Sequence, residues 1–191
     1  ANPKIVPEAH TIKHMSYEEA KELSFYGAKL HPKTIRPAME KNIPVYILNT
    51  FNPDGEFTVI TQERMVKENI VKGITCSSGN CVITISSPRM VEEYGFLAKI
   101  FNIFADKEDG TATAVDMIST SEASVSLTIK DTSRLEKIIR RLERIDGVSV
   151  KVEKNKSIIC IVGEGMKHVP GTSGRLFSAL GRAGINIEAI S

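Results

Sequence analysis

Two stretches of this sequence combine residue types that could recognise a small zwitterion. Met90 through Gly95, and Met166-Lys167-His168-Val169-Pro170-Gly171, each follow an apolar strand pattern and lead into a helix that begins at glycine. A helix N-terminus presents N–H groups without intrahelical partners and a partial positive charge, which suits a carboxylate. Glycine lets a ligand's head group approach the backbone. Asp116, at the start of the next strand pattern, could take an ammonium group. A carboxylate and an ammonium group together describe a free amino acid. The plainer alternative is that these glycines only turn the chain and that Asp116 is a solvated edge residue.

Other motifs fail on spacing. Gly163-Glu164-Gly165 follows a strand, but the third glycine of a dinucleotide-binding G-x-G-x-x-G would fall at His168. There is no Walker A sequence. His10, His14, His31 and His168 are scattered, so no metal site is expected. Cys76, Cys81 and Cys160 read as small apolar groups; their odd number, without C-x-x-C spacing and without an apolar N-terminal signal region, points to a reducing cytosol. Arg134, Lys137, Arg140, Arg141 and Arg144 are interleaved with Glu136 and Glu143, which reads as a solvated, salt-bridged helix face. The 191 residues are 41% hydrophobic and 25% charged with a net charge of +2, values of ordinary globular domains with no electrostatic call for nucleic acid. No apolar run approaches the roughly 18 residues that span a membrane.

The elements that must position these residues follow from patterning. Ser16-Tyr17-Glu18-Glu19 reads as a capping box opening a helix to about Tyr26, ended by Gly27. A short helix around Ile35 to Lys41 carries Pro37 early, Ile43 to Leu48 reads as a buried strand, and Asn52-Pro53-Asp54-Gly55 is a turn before a strand at Phe57 to Ile60. Gln62 to Asn69 is a polar connection. Beyond it come strands at Cys81 to Ile85, Ala114 to Ser119, Ser124 to Lys130 and Val148 to Val152, with helices at Gly95 to Phe104 and after the cap Asp131-Thr132-Ser133. The order is βαββαβ.

An internal repeat organises this half. A shift of 76 positions lays Ile83 on Ile159, Ile85 on Ile161, Met90 on Met166, Gly95 on Gly171 and Phe101 on Phe177. The shift then becomes 72, with Asp116 over Glu188 and Ile118-Ser119 over Ile190-Ser191, so the first copy carries about four extra residues within Asp106 to Gly110 and a strand is expected at Ile187 to Ser191. The second copy stops after strand, helix and strand. An unfinished unit would expose strand edges, so the chain reads as a fragment at both ends, unless Lys72 to Cys76 or another strand closes the second sheet.

Pro3-Lys4-Ile5-Val6-Pro7-Glu8-Ala9, Ser16 to Ala20, Phe25-Tyr26-Gly27-Ala28-Lys29-Leu30-His31-Pro32, Ile43-Pro44-Val45 and Asn49 to Pro53 resemble the end of the catalytic domain of aspartate kinases. Gly95-Phe96-Leu97-Ala98 and Val115-Asp116-Met117-Ile118-Ser119-Thr120-Ser121-Glu122 resemble the ACT regulatory domains of that family, in its lysine-sensitive form. The resemblance implies an α/β (α+β) chain: a kinase-domain tail at 1–62, a linker at 63–72, a ferredoxin-like βαββαβ ACT unit at 73–154 and a partial second unit at 155–191.

The resemblance also implies function. The family phosphorylates aspartate with MgATP on the way to lysine, threonine and methionine, in the cytoplasm. Lys29 would contact ATP phosphates, although this chain reads Gly-Ala-Lys-Leu-His-Pro where the usual pattern has one more apolar residue. ATP and Mg would be co-substrates of the full enzyme, with no catalytic or metal-binding residue in this stretch, which alone would be inactive. Met90, Gly95, Phe96, Leu97, Val115, Asp116, Thr120, Ser121 and Glu122 would line the effector site, in a homodimer formed through the ACT domains. Asp116 and Glu122 suit the two ammonium groups of lysine better than threonine. The competing reading is a free-standing amino-acid sensor without catalytic activity. Lysine is expected to raise the melting temperature of the chain and Asp116→Ala to abolish the rise; a shift with threonine and none with lysine in differential scanning fluorimetry would overturn the lysine assignment.

Overall fold

The computed structural model describes residues 5–25, 30–63, 71–105 and 112–191. The expectations for Gly27, Lys29, the Asp106 to Gly110 loop and most of the Gln62 to Asn69 connection lie outside them. The protein is mixed α+β, with a three-stranded and a four-stranded sheet. It forms two compact units, one of Ala1–Ser77 with Ile158–Gly184 and one of Ser78–Ser157 with Ile185–Ser191.

In the first unit, β1 (His14–Ser16) runs parallel to β3 (Thr58–Thr61), and β2 (Val45–Ile47) pairs antiparallel on its other side. The capping box forms as read: the Ser16 N–H donates to Glu19 Oε2 at 3.0 Å and the Glu19 N–H to Ser16 Oγ at 3.2 Å, opening α1 (Tyr17–Phe25). Tyr17, Ala20 and Leu23 on α1 pack with Met15, Ile35, Ile60 and Val162. Helix α2 (Pro32–Glu40) starts three residues ahead of the expected Ile35, so Pro37 sits mid-helix. The start moves because Pro32 takes the first position, where its missing N–H costs least, and His31 Nδ1 accepts from the Lys33 N–H at 3.2 Å. The expected buried strand at Ile43 to Leu48 is instead three residues long and mostly exposed, with Tyr46 at 57%. Among the described residues it is an edge strand with β3 as its neighbour; Val45 packs against the core, whereas Tyr46 and Ile47 stay exposed.

The second unit has the order β4, α3, β5, β6, α4, β7, with sheet order β5-β6-β4-β7. This is the ferredoxin-like arrangement. β4 (Gly73–Ser86) and β7 (Ser149–Val162) are each 14 residues long and run through both units. Single strands thus replace the separate ones expected at Val148 to Val152 and near Ile159. The contacts Lys72 N–H to Val162 O (2.8 Å) and Ser157 Oγ to Ser78 Oγ (3.2 Å) show the two strands antiparallel. In the second unit, β4 pairs with β6 (Ser124–Ile129) through Cys81–Ile129, Ile83–Leu127 and Ile85–Val125, all nearly inaccessible. Phe96, Ile100, Ile103 and Phe104 of α3 (Phe96–Phe104), and Leu135, Ile138 and Leu142 of α4 (Leu135–Leu142), cover that face.

Two local expectations change. Asp131 does not cap α4; its Oδ1 accepts from the Ser133 N–H at 2.9 Å, closing a turn, and the helix begins after Arg134. Ile187 to Ser191 forms no strand, since no partner strand among the described residues takes up its backbone groups; Glu188 instead pairs with Lys156. The expected strand at Ala114 to Ser119 is β5 (Met117–Thr120). Among the described residues no helix is long and apolar enough to cross a membrane.

The Glu19 side chain is 2% exposed and receives Lys72 Nζ at 2.7 Å. Burial alone would raise its carboxyl, but Lys72 and the Glu164 and Ser16 N–H groups more than offset that and hold it below the usual carboxylate range. A carboxyl lowered by folding contributes stability above its unfolded pKa and loses it as pH falls through the folded value. The urea midpoint of the chain therefore falls more steeply below about pH 5 than that of Glu19→Gln; equal slopes in a pH series of denaturation curves would refute this.

Candidate functional site

Each repeat builds the same device. After the buried end of β4, Ser87 Oγ accepts from the Arg89 N–H at 3.2 Å and opens a 3-10 turn at Pro88–Met90. Gly95 then precedes α3 with φ +77°, and no side chain caps the helix. After β7, a 3-10 turn at Glu164–His168 leads to Gly171, φ +86°, and to α5 (Thr172–Arg182), again without a side-chain cap. A Cβ on either glycine would meet nothing within 4 Å, so the constraint is left-handed backbone rather than space. The two glycine-started helices read from the sequence are present, each with a first turn that no side chain caps.

The structure brings together some of the residues expected at the first device. Met90 is half-buried against the core, Leu97 is 40% exposed, and Val91 and Tyr94 beside them are exposed. Phe96 belongs to the core at 2% exposure, and its N–H donates to Glu93 O at 3.3 Å. The end of β5 lies at the same end of the sheet: Thr120 pairs with Val125, Val125 with Ile85, and the Ser87 N–H donates to Ala123 O. Thr120, Ser121 and Glu122 are exposed there.

Val115 and Asp116 are not part of this group. The Asp116 N–H donates to Thr128 O at 2.8 Å, at the opposite end of β5. Five residues of extended chain separate Asp116 from Ser121, roughly 16 Å at strand rise. Burial pushes the Asp116 carboxyl up, partly opposed by Lys130. Among the described residues there is no cluster of three or more His, Cys, Asp or Glu able to hold a metal.

At the second device there is a cavity of about 230 Å³, lined by Ile161, Met166, Val169, Gly171, Thr172, Ser173 and Gly174. The 76-residue offset sets Thr172 over Phe96, Ser173 over Leu97 and Gly174 over Ala98. Small residues thus stand where the first copy has bulkier ones. Ile161, Thr172, Ser173 and Gly174 were not among the expected site residues, whereas Val169 lies in the stretch read as a binding loop; extending the repeat three positions past Gly171 is the signal that finds Thr172, Ser173 and Gly174.

Comparison with known proteins matches both halves. Residues 159–191 match the ACT domain and residues 1–49 the amino acid kinase family. The whole chain is 35% identical over 200 residues to Aspartokinase 3, chloroplastic, of Arabidopsis thaliana. It superposes over its full length on 44% of an aspartate kinase from Clostridium acetobutylicum (TM-score 0.88, 29% identity). It likewise covers 42% of E. coli aspartokinase III in complex with lysine and aspartate (TM-score 0.77, 26% identity). A C-terminal regulatory domain of aspartate kinase from Porphyromonas gingivalis is 34% identical, with 62% of this chain covering 76% of that one (TM-score 0.50). The chain belongs to the aspartokinase family. It spans about a third of the length of the curated aspartokinases it matches, 34% for the Arabidopsis protein just named.

The left-handed glycines give a direct test of the repeated device. Gly95→Ala and Gly171→Ala each cost about 1–2 kcal/mol, whereas Gly174→Ala, inside α5 with open space at its Cβ, gains about 0.5–1 kcal/mol. Urea denaturation measures all three, and a neutral Gly95→Ala would refute the backbone requirement.

Proposed function

We propose that this chain is the C-terminal, regulatory portion of an aspartokinase that phosphorylates the side-chain carboxylate of L-aspartate with MgATP, giving 4-phospho-L-aspartate for lysine, threonine and methionine synthesis. Lys29 contacts the ATP phosphates in that enzyme. The ACT repeats bind feedback amino acids, lysine at the first device. The lysine complex of E. coli aspartokinase III supports this choice, as do the two carboxylates, Asp116 and Glu122, for a ligand with two ammonium groups.

The observation that carries the reading is the separation of Asp116 from the Met90–Leu97 and Thr120–Glu122 group. No single amino acid spans the roughly 16 Å of strand between them. β5 is the edge strand of its sheet, and a two-fold contact along that edge is self-complementary. It sets β5 of one copy antiparallel to β5 of the other, bringing Asp116 of the second copy to the Thr120–Glu122 end of the first. A homodimer completes a site that one chain leaves divided. Lysine then inhibits by binding the inactive arrangement better than the active one, with a typical coupling of about 1–3 kcal/mol.

Subunit mixing tests this. Asp116→Ala and Glu122→Ala each abolish lysine binding in calorimetry. After subunit exchange, a 1:1 mixture regains about a quarter of the wild-type sites, because half the dimers are mixed and each has one intact site of two. No recovery on mixing would place the whole site within one chain and refute the shared arrangement.

A further inference from the structure

The Glu19 carboxylate does more than close a capping box. A capping box needs only the reciprocal pair with Ser16. Here Oε2 also takes Lys72 Nζ at 2.7 Å, and Oε1 takes the Glu164 N–H at 3.0 Å, with the Lys72 side chain 6% exposed. The Lys72 N–H in turn donates to Val162 O at 2.8 Å. One buried carboxylate therefore ties the first turn of α1, the residue preceding β4, and the first residue of the 3-10 turn at Glu164–His168. That turn supplies Met166 to the cavity and leads to Val169 and Gly171 in its wall.

The repeat shows that this tie is particular to the second copy. The offset of 76 puts Pro88 at the position of Glu164, each the first residue of its 3-10 turn. Proline has no N–H, so the first copy cannot make the bond. The second copy keeps the donor and spends it on Glu19.

We propose that Glu19 is a positioning residue through which a ligand in the Gly171–Gly174 cavity is felt by α1. A ligand that shifts the turn moves the Glu164 N–H. Leaving it behind would strip a buried carboxylate of a charge-assisted bond, so the first turn of α1 follows. The inference rests on the reading of the cavity as an amino-acid site and adds the route by which that site reaches the kinase-like segment.

Hydrogen–deuterium exchange on the full chain, with lysine and with threonine as probes, tests it. Wild type and Glu164→Ala, which keeps the N–H, are expected to show slower exchange at 163–171 and a change of about fivefold or more at 17–25. Compared with Glu164→Ala, which also lacks the carboxylate, Glu164→Pro removes the N–H donor. It suits the first position of the turn, since Gly163 before it is extended at ψ 118°. In that variant the response at 163–171 remains and the response at 17–25 disappears. A response at 17–25 that survives Glu164→Pro, or that is missing from wild type while 163–171 responds, overturns the coupling alone. Silence at 163–171 in wild type with both probes overturns the amino-acid reading of the cavity and the coupling with it.

Discussion

The register of β4 against β6 is the constraint on which the second unit depends. Cys81, Ile83 and Ile85 face inward opposite Ile129, Leu127 and Val125, while Thr84 Oγ1 and Ser126 Oγ meet at 3.0 Å on the other face. A slip by one residue would turn every one of these side chains over. With the register held, the end of β4 is fixed on one side of the start of β6 and the end of β5 on the other. The direction of the chain does the rest: α3 returns along the sheet, so β5 must begin at the far end. Asp116 is placed away from Gly95 by topology rather than by anything local to either residue.

Backbone polar groups impose the second set of arrangements. Each repeat ends a buried strand, makes a 3-10 turn and enters a helix through a left-handed glycine. At the first copy a proline opens the turn and needs no acceptor. At the second, the corresponding N–H is satisfied by a carboxylate from a distant helix. That carboxylate is tolerated in a nearly inaccessible position because three donors surround it, two backbone N–H groups and the ammonium of a buried lysine. Among the differences between the two copies, proline at 88 against glutamate at 164 is the one that gives the second copy a link the first lacks.

Much of this was legible in one dimension. The Ser16–Glu19 capping box and the apolar face of α3 depend on neighbours three or four positions apart, and local rules reach that far; the matched glycines at 95 and 171 are legible through the 76-position repeat. The start of α2 was misplaced because Pro37 and Pro32 both suit a helix start, and only the cap from His31 decides between them. Ile43 to Leu48 looked buried because apolar residues are buried when something covers them; among the described residues the core takes up Val45 and leaves Ile43, Tyr46, Ile47 and Leu48 exposed. Asp131 carries the chemistry of a cap and of a turn alike.

By itself, the amino-acid sequence determined the element types, the βαββαβ order, the repeat and the kind of chemistry its glycine-started helices can support. These follow from side-chain period, from proline and glycine conformational limits and from helix-terminus hydrogen bonding. Only the tertiary structure decided which of the candidate residues share a place. Asp116 and Gly95 are separated, Thr120 and Gly95 share one end of a sheet, and Glu19 meets Glu164 across 145 positions of chain. The physical reason is that strand pairing and the burial of charged groups are satisfied by partners remote in sequence.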